Sequence, residues 1–167
     1  SIAPNAFQGF RNLRRVVIPE SVTEIGSGAF SGCNQLKKIS IPNGVTNIPE
    51  YCFESCFELS EIVFPQNLRT ISGSAFEYCS SLRQLTFPDS LTSIRYSAFG
   101  SCVNLEQVIT GPNLTKIGEC AFSLCPSLKY LYINSPRVAL AESAFSYCDI
   151  YHLKMPAQIA YICEDAF

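Results

Sequence analysis

A phenylalanine returns at a fixed interval along the whole chain. The eight positions share one register: Phe7, Phe30, Phe53, Phe76, Phe99, Phe122, Phe145 and Phe167. Successive positions are 23 residues apart at six steps and 22 residues apart at the last. A unit this short cannot bury its apolar face alone, so successive units must stack and shield one another. The interval therefore predicts a solenoid over residues 1–167, forming a single repeat domain of about seven coils.

Within each unit, a leucine motif predicts one short strand. The motif Leu-x-x-Leu-x-Ile is followed in most units by proline, as in "LKKISIP" at 36–42. Its last three residues alternate between apolar and polar, which is the period of a strand buried on one side. Proline then ends the strand, because it cannot donate the next ladder hydrogen bond. Stacked units would align these strands into a parallel sheet along one side of the solenoid.

A second apolar stretch and an "AF" pair complete the unit. Stretches such as "VTNI" at 45–48 predict two more inward side chains, and we expect the "AF" pair in a short turn or 3₁₀ segment. Two units depart from the pattern. Thr110 and Gly111 replace an apolar residue and proline, and Arg137 stands where Val or Leu is usual. We predict a local distortion from about Asn134 to Leu140, with a shift in curvature there.

The combined pattern resembles a known repeat class. Segments "LKKISIPNGVTNIPEYCFESC" at 36–56 and "LRQLTFPDSLTSIRYSAFGSC" at 82–102 resemble the BspA-like leucine-rich repeat, and the resemblance covers essentially the whole chain. It implies a right-handed, curved leucine-rich-repeat solenoid with one parallel strand per coil on the concave face, short strands or 3₁₀ turns elsewhere and little α-helix. It also implies a cell-surface or secreted protein, since members of the family are associated with adhesion to host proteins and to other cells.

Both ends of the chain fall in the middle of a unit and lack the polar caps that solenoids need. We expect the chain to be a fragment of a longer array. Self-association through the uncapped ends is the alternative.

Six cysteines share one register, three residues after the phenylalanine. They are Cys33, Cys56, Cys79, Cys102, Cys125 and Cys148. Phe10 takes this place in the first coil, which indicates an apolar interior site where free cysteine acts as a small hydrophobe. The spacing between adjacent coils is compatible with disulfides, but stacked side chains project in parallel and bridging would make the coils inequivalent. We predict a structural ladder of free thiols.

Metal and cofactor sites find little support in the sequence. Cys52 with Cys56, and Cys120 with Cys125, have spacings that some zinc sites use, yet a structural site needs four ligands. The single histidine, His152, is far from both pairs in sequence. We predict no metal and no cofactor.

Composition narrows the classes of function. A formal net charge of -2 gives no general attraction to nucleic acid or to anionic membrane. No apolar run approaches the ~18 residues of a membrane span, so this chain is not expected to insert into a membrane. Cys148 with His152 is the one pairing that could serve as nucleophile and base, and it leaves an enzyme as a remote alternative. We predict that the protein is not an enzyme.

The outward strand positions carry the variable part of the sequence. They form two columns along the concave face: Arg15, Lys38, Glu61, Gln84, Gln107, Tyr130 and His152; and Val17, Ser40, Val63, Thr86, Ile109, Tyr132 and Lys154. Tyrosine and arginine are enriched at interface hot spots, although tyrosine is also common in strands because of its β-propensity. We predict a protein-interaction or adhesion module that binds a protein ligand, such as a host or extracellular-matrix protein, through this face. The alternative is a passive structural spacer in a surface protein.

Overall fold

The structure, a computed structural model, describes residues 1–167 and contains no helix. Each coil from Lys38 onward contributes a three-residue strand and then a two-residue strand. The three-residue strands are β1 Lys38–Ser40, β3 Glu61–Val63, β5 Gln84–Thr86, β7 Gln107–Ile109, β9 Tyr130–Tyr132 and β11 His152–Lys154. The two-residue strands are β2 Asn47–Ile48, β4 Thr70–Ile71, β6 Ser93–Ile94, β8 Lys116–Ile117, β10 Ala139–Leu140 and β12 Tyr161–Ile162. All pairings are parallel, which confirms the predicted solenoid.

The three-residue strands lie in the predicted leucine motifs. We call the segments that carry them the strand face: residues 11–19, 34–42, 57–65, 80–88, 103–111, 126–134 and 149–156. In these strands up to β9 the middle residue points into the core and its neighbours point outward, as Leu85 does between Gln84 and Thr86. In β11, near the end of the chain, the middle residue Leu153 is exposed. The first coil departs from this plan, because Arg15 forms only an isolated bridge with Lys38.

The phenylalanines form the spine of the core. Consecutive rings from Phe7 to Phe167 stack with centroids 5.1–5.4 Å apart and planes within 14° of parallel. The six rings from Phe30 to Phe145 belong to one continuous cluster of 43 buried residues that also includes most of the inward leucines and isoleucines, while Phe7 packs against this cluster and Phe167 is exposed at the other end. The repeat length places each ring over the previous one, and this separation suits favourable stacking of aromatic rings.

The "AF" segments are consecutive turns, which is the first of the two conformations expected for them. In the second coil the backbone N–H groups of Gly28, Phe30 and Gly32 donate to three carbonyls of the next coil at 2.8–2.9 Å. The residues two before and two after each phenylalanine, from Phe7 to Phe145, have positive φ. We call these segments the turn ridge: residues 3–10, 26–33, 49–56, 72–79, 95–102, 118–125, 141–148 and 163–167.

The distortion predicted from Asn134 to Leu140 is limited to the turn before β10; this turn lies one residue later than in the preceding coils, and it leaves the strand pairing intact. Strand β10 pairs with both β8 and β12. Val138 is buried and takes the inward place predicted for position 137, so Arg137 points to solvent. Asn134 bonds Thr110 from its backbone N–H to Oγ1 at 3.0 Å and from Nδ2 to the carbonyl at 2.8 Å. These bonds satisfy the polar side chain that replaces an apolar one.

An interruption of the pairing lies elsewhere, between β3 and β5. Phe64 and Phe87 occupy the place after these strands that isoleucine takes in the two units at 18 and 41. Their ring centroids are 5.5 Å apart, and the Phe64 ring also lies edge-on to Phe76 at 6.1 Å. Two bulky rings thus lie side by side where the strands are unpaired, while β4 and β6 remain paired.

Candidate functional site

The fourteen candidate positions lie along the strand face, and none is buried. Gln107, Ile109 and Tyr132 are half-buried, and the other eleven are exposed. Residues on adjacent paired strands are in direct register, as Tyr130 is with His152 and Tyr132 with Lys154. Paired backbones therefore hold neighbouring side chains of this face at fixed separations.

Charged residues dominate the N-terminal part of this face. Lys38 Nζ pairs with Glu61 Oε1 at 2.5 Å across β1 and β3, so this lysine is neutralised locally. Arg15 has no carboxylate partner and, with Arg14 and Val17, lines an open groove of about 490 Å³. Exposed ion pairs of this kind contribute little to stability, about 0–1 kcal/mol. Glu20 lines the same groove, so its edge carries a carboxylate as well as the unpaired charge of Arg15.

Aromatic residues dominate the C-terminal part. The His152 ring centroid lies 5.5 Å from that of Tyr132 and 6.4 Å from that of Tyr130. Tyr130 is 40% exposed, and Lys154 stands beside Tyr132 on the next strand. We call Tyr130, Tyr132, His152 and Lys154 the aromatic patch. Its rings offer rigid amphipathic contact area and hydrogen-bonding groups on paired strands, which suits the binding of another protein surface.

The six cysteines of the ladder are free, and five of them are buried, while Cys148 is half-buried. Each thiol donates a hydrogen bond to the carbonyl of the phenylalanine one coil earlier, at 3.1–3.4 Å, as Cys79 does to Phe53. Burial raises the pKa of the Cys102 thiol to about 12. Such thiols remain protonated at neutral pH and are poor nucleophiles.

Sequence reasoning missed this thiol bond, because its acceptor is a backbone carbonyl and the constant spacing between each cysteine and the earlier phenylalanine follows from the repeat itself. The inference from Phe10 was also wrong. Phe10 is 54% exposed and meets the Phe7 ring edge-on at 5.8 Å, so it does not fill an interior site.

The suggested nucleophile and base are not assembled. Cys148 Sγ donates to the Phe122 carbonyl at 3.1 Å, and no hydrogen bond joins it to His152. Contact with the Cys125 thiol lowers the pKa of Cys148, whereas the same contact and burial raise the pKa of Cys125. Neither thiol of this pair is hydrogen-bonded to a histidine or a carboxylate side chain.

No group of three or more His, Cys, Asp or Glu side chains is close enough to hold a metal ion. The structure also has no helix whose length and hydropathy would allow it to cross a membrane.

Comparison with known proteins gives a family match over the whole chain. The model of the BspA type leucine-rich-repeat region matches residues 1–129 and 46–167, with six copies. No curated protein matches the chain.

Solved structures show the same fold. The T. pallidum leucine-rich-repeat protein TpLRR is similar at 34% identity and a TM-score of 0.84, and the match covers 93% of this chain and 71% of that protein. A leucine-rich repeat protein from Bacteroides ovatus shares 26% identity with a TM-score of 0.78, covering 96% of this chain and 48% of its own. The pneumococcal vaccine antigen PcpA, at 22% identity and a TM-score of 0.66, covers 89% and 36% respectively and shows the fold alone.

Proposed function

Because the chain belongs to the BspA-type leucine-rich-repeat family, we propose that it is a non-enzymatic module that binds a protein ligand through its strand face. Leucine-rich-repeat solenoids are protein-interaction scaffolds whose stacked repeats create extended binding surfaces. The proposal treats residues 1–167 as one repeat domain of about seven coils, in keeping with the single continuous core. It places the domain in a surface or secreted protein, as the family resemblance implies.

The observation that carries the proposal is the aromatic patch. Tyr130 and Tyr132 lie on one strand, and His152 lies against both rings from the next strand. Backbone pairing fixes the positions from which these side chains project, and tyrosine rings with two rotatable χ angles lose little conformational entropy when a ligand contacts them. Buried tyrosines at protein interfaces each contribute ~2 kcal/mol or more when they act as hot spots.

The charges of the strand face indicate which ligand surfaces fit. Three of its cations pair with carboxylates of the same face: Lys37 with Glu58, Lys38 with Glu61, and Arg83 with Glu106. Five exposed cations have no such partner: Arg11, Arg14, Arg15, Lys129 and Lys154. A protein surface with carboxylates around an apolar centre would complement both the patch and these cations.

The test measures binding to immobilised extracellular-matrix proteins by surface plasmon resonance. It compares the wild type with the strand-face variant Tyr130→Ser/Tyr132→Ser. The matched control, Tyr78→Ser/Tyr147→Ser, removes two tyrosines from the turn ridge instead. We expect the strand-face variant to bind at least about tenfold more weakly, while the ridge variant binds as wild type does. Thermal unfolding checks that both variants fold.

Equal binding by all three proteins would contradict the proposed site. No binding by any of them, with normal unfolding, would favour the spacer alternative for this set of partners.

A further inference from the structure

The turn ridge carries large side chains at backbone positions that favour glycine. The position two residues after the phenylalanine is glycine in the first two coils, at Gly9 and Gly32. Later coils place Tyr78, Leu124 and Tyr147 there, with φ values of 63°, 57° and 60°. A left-handed backbone is sterically unfavourable for such residues. Their side chains are 45%, 49% and 80% exposed, so burial in their own coil offsets little of that cost.

Bulky residues in a disfavoured conformation indicate a role outside the packing of the chain itself. Serine takes the same position in two coils, at Ser55 and Ser101, and meets the backbone requirement with a small polar side chain. The ridge therefore exposes two tyrosines and a leucine where the fold has no need of them. Exposed apolar groups of this kind are typical of an interaction surface.

The turn ridge is also strongly acidic. It holds seven acidic residues, Glu50, Glu54, Glu77, Glu119, Glu142, Glu164 and Asp165, against one basic residue, Arg95. None of the seven is buried, and none is in an ion pair. The ridge therefore presents available negative charge along much of its length.

The strand face has the opposite sign. It holds eight basic residues, Arg11, Arg14, Arg15, Lys37, Lys38, Arg83, Lys129 and Lys154, against four acidic ones, Glu58, Glu61, Glu106 and Asp149. Three cations are paired within the face, and five are exposed without a carboxylate partner. One molecule thus carries two surfaces of complementary charge, and its net charge of -2 produces little overall repulsion between copies.

The two surfaces also share one spacing. Both repeat once per coil, and the stacked rings set that rise at 5.1–5.4 Å. Two solenoids lying side by side with parallel axes therefore keep the ridge of one in step with the strand face of the other over the coils whose strands are paired, such as those of β5, β7, β9 and β11.

We propose that the turn ridge is a docking surface for a second copy of this chain, which it contacts through that copy's strand face. Glu119 and Glu142 face unpaired cations such as Lys129 and Lys154 of the second copy, and Tyr78 and Tyr147 contact the alkyl stems and charged heads of its Lys and Arg side chains. The contact is heterologous, so each added copy leaves a free ridge and a free face, and assemblies grow with concentration. This proposal goes beyond ligand binding and concerns the protein alone, so its failure would leave the proposed function untouched.

Sedimentation velocity of the purified chain over a range of concentrations tests the proposal. We expect association at low ionic strength that weakens as salt is added, because exposed charges are screened beyond about 10 Å at 0.1 M salt. The reversals Glu119→Lys/Glu142→Lys on the ridge and Lys129→Glu/Lys154→Glu on the strand face should each weaken it by about tenfold or more.

An equimolar mixture of the two reversed variants should associate again, because each then meets an opposite charge. Recovered association in this mixture would distinguish contact between the turn ridge and the strand face from any other contact between copies. A wild-type chain that stays monomeric at every concentration overturns the proposal. Association that survives both reversals overturns it as well, and would point to the ends of the solenoid.

Glycine variants test the tyrosines without disturbing the backbone. Tyr78→Gly/Tyr147→Gly removes both rings at positions where glycine is the favoured residue, so thermal unfolding should be retained. We expect association to weaken as it does after charge reversal. The control Ser55→Gly/Ser101→Gly changes the same backbone positions without removing a large side chain and should associate as wild type does. If both glycine pairs associate equally well, the tyrosines are not part of the interface and the proposal fails.

Discussion

The interior of the solenoid keeps one residue type from coil to coil, whereas the strand face changes at almost every step. The phenylalanine spine is uniform from Phe7 to Phe167, while the corresponding outward column runs from Arg15 through Glu61 to His152. The same backbone repeat positions the phenylalanine spine and the outward column. Close packing restricts the interior to a single shape, and solvent places no such restriction on the face. The comparison separates residues that hold the fold from residues free to serve recognition.

The largest expected effect lies in the spine. Phe99 is fully buried and stacks between Phe76 at 5.1 Å and Phe122 at 5.3 Å. Phe99→Ala should lower the free energy of unfolding by about 3–5 kcal/mol, because a cavity remains between two rings. The outward change Gln84→Ala should stay within about 0.5 kcal/mol. Urea denaturation measures the free energy of unfolding of both variants. Similar losses in the two would contradict the distinction between interior and strand-face residues.

A smaller effect tests which residue faces inward where the repeat is irregular. Val138 is fully buried and Arg137 is exposed. Val138→Ala should cost about 1–3 kcal/mol through lost apolar burial, whereas Arg137→Ala should cost less than about 0.5 kcal/mol. The same denaturation experiment checks both values. A larger loss of stability for Arg137→Ala than for Val138→Ala would instead support the register predicted from the sequence, in which residue 137 points inward.

The smallest effect concerns the cysteine ladder. Cys79 Sγ donates to the Phe53 carbonyl at 3.2 Å, inside the core. Cys79→Ala removes the donor and part of the packed volume, and should lower the free energy of unfolding by about 1–2 kcal/mol. Cys79→Ser keeps a donor and should be the milder change. The control Cys163→Ala, at a half-buried cysteine outside the ladder, should have little effect. If the serine variant is less stable to unfolding than the alanine variant, the thiol acts only as an apolar group that fills space in the core.

The spine and the main strands could be predicted because each depends on a periodic contact that the sequence repeats. Phe30, Phe53 and Phe76 recur because each ring packs on the one before it. The thiol bond was missed because its acceptor is a backbone carbonyl, which leaves no residue type to read. At the interruption between β3 and β5, two large rings from adjacent coils lie side by side. Neither Phe64 nor Phe87 looks unusual when the sequence of its own repeat is read alone.

The candidate face was predicted as a set of positions, and the structure adds what those positions do to one another. Alternation along each strand was enough to identify outward residues such as Tyr130 and Lys38. The repeat already places Lys38 next to Glu61 in one column, but the side-chain conformations that pair them, and that bring His152 against Tyr132, depend on rotamers that the sequence does not specify. The unusual φ of Tyr78 was equally hidden, since the residue type argues against that conformation.

One measurement tests the central claim most directly: an alanine scan of the fourteen strand-face positions, read as affinity for a matrix protein that the wild type binds. The account predicts losses of ~2 kcal/mol or more at Tyr130 and Tyr132, with little change at Ser40 and Thr86, and unchanged unfolding throughout. Uniform affinity across all fourteen variants of a chain that binds would contradict it.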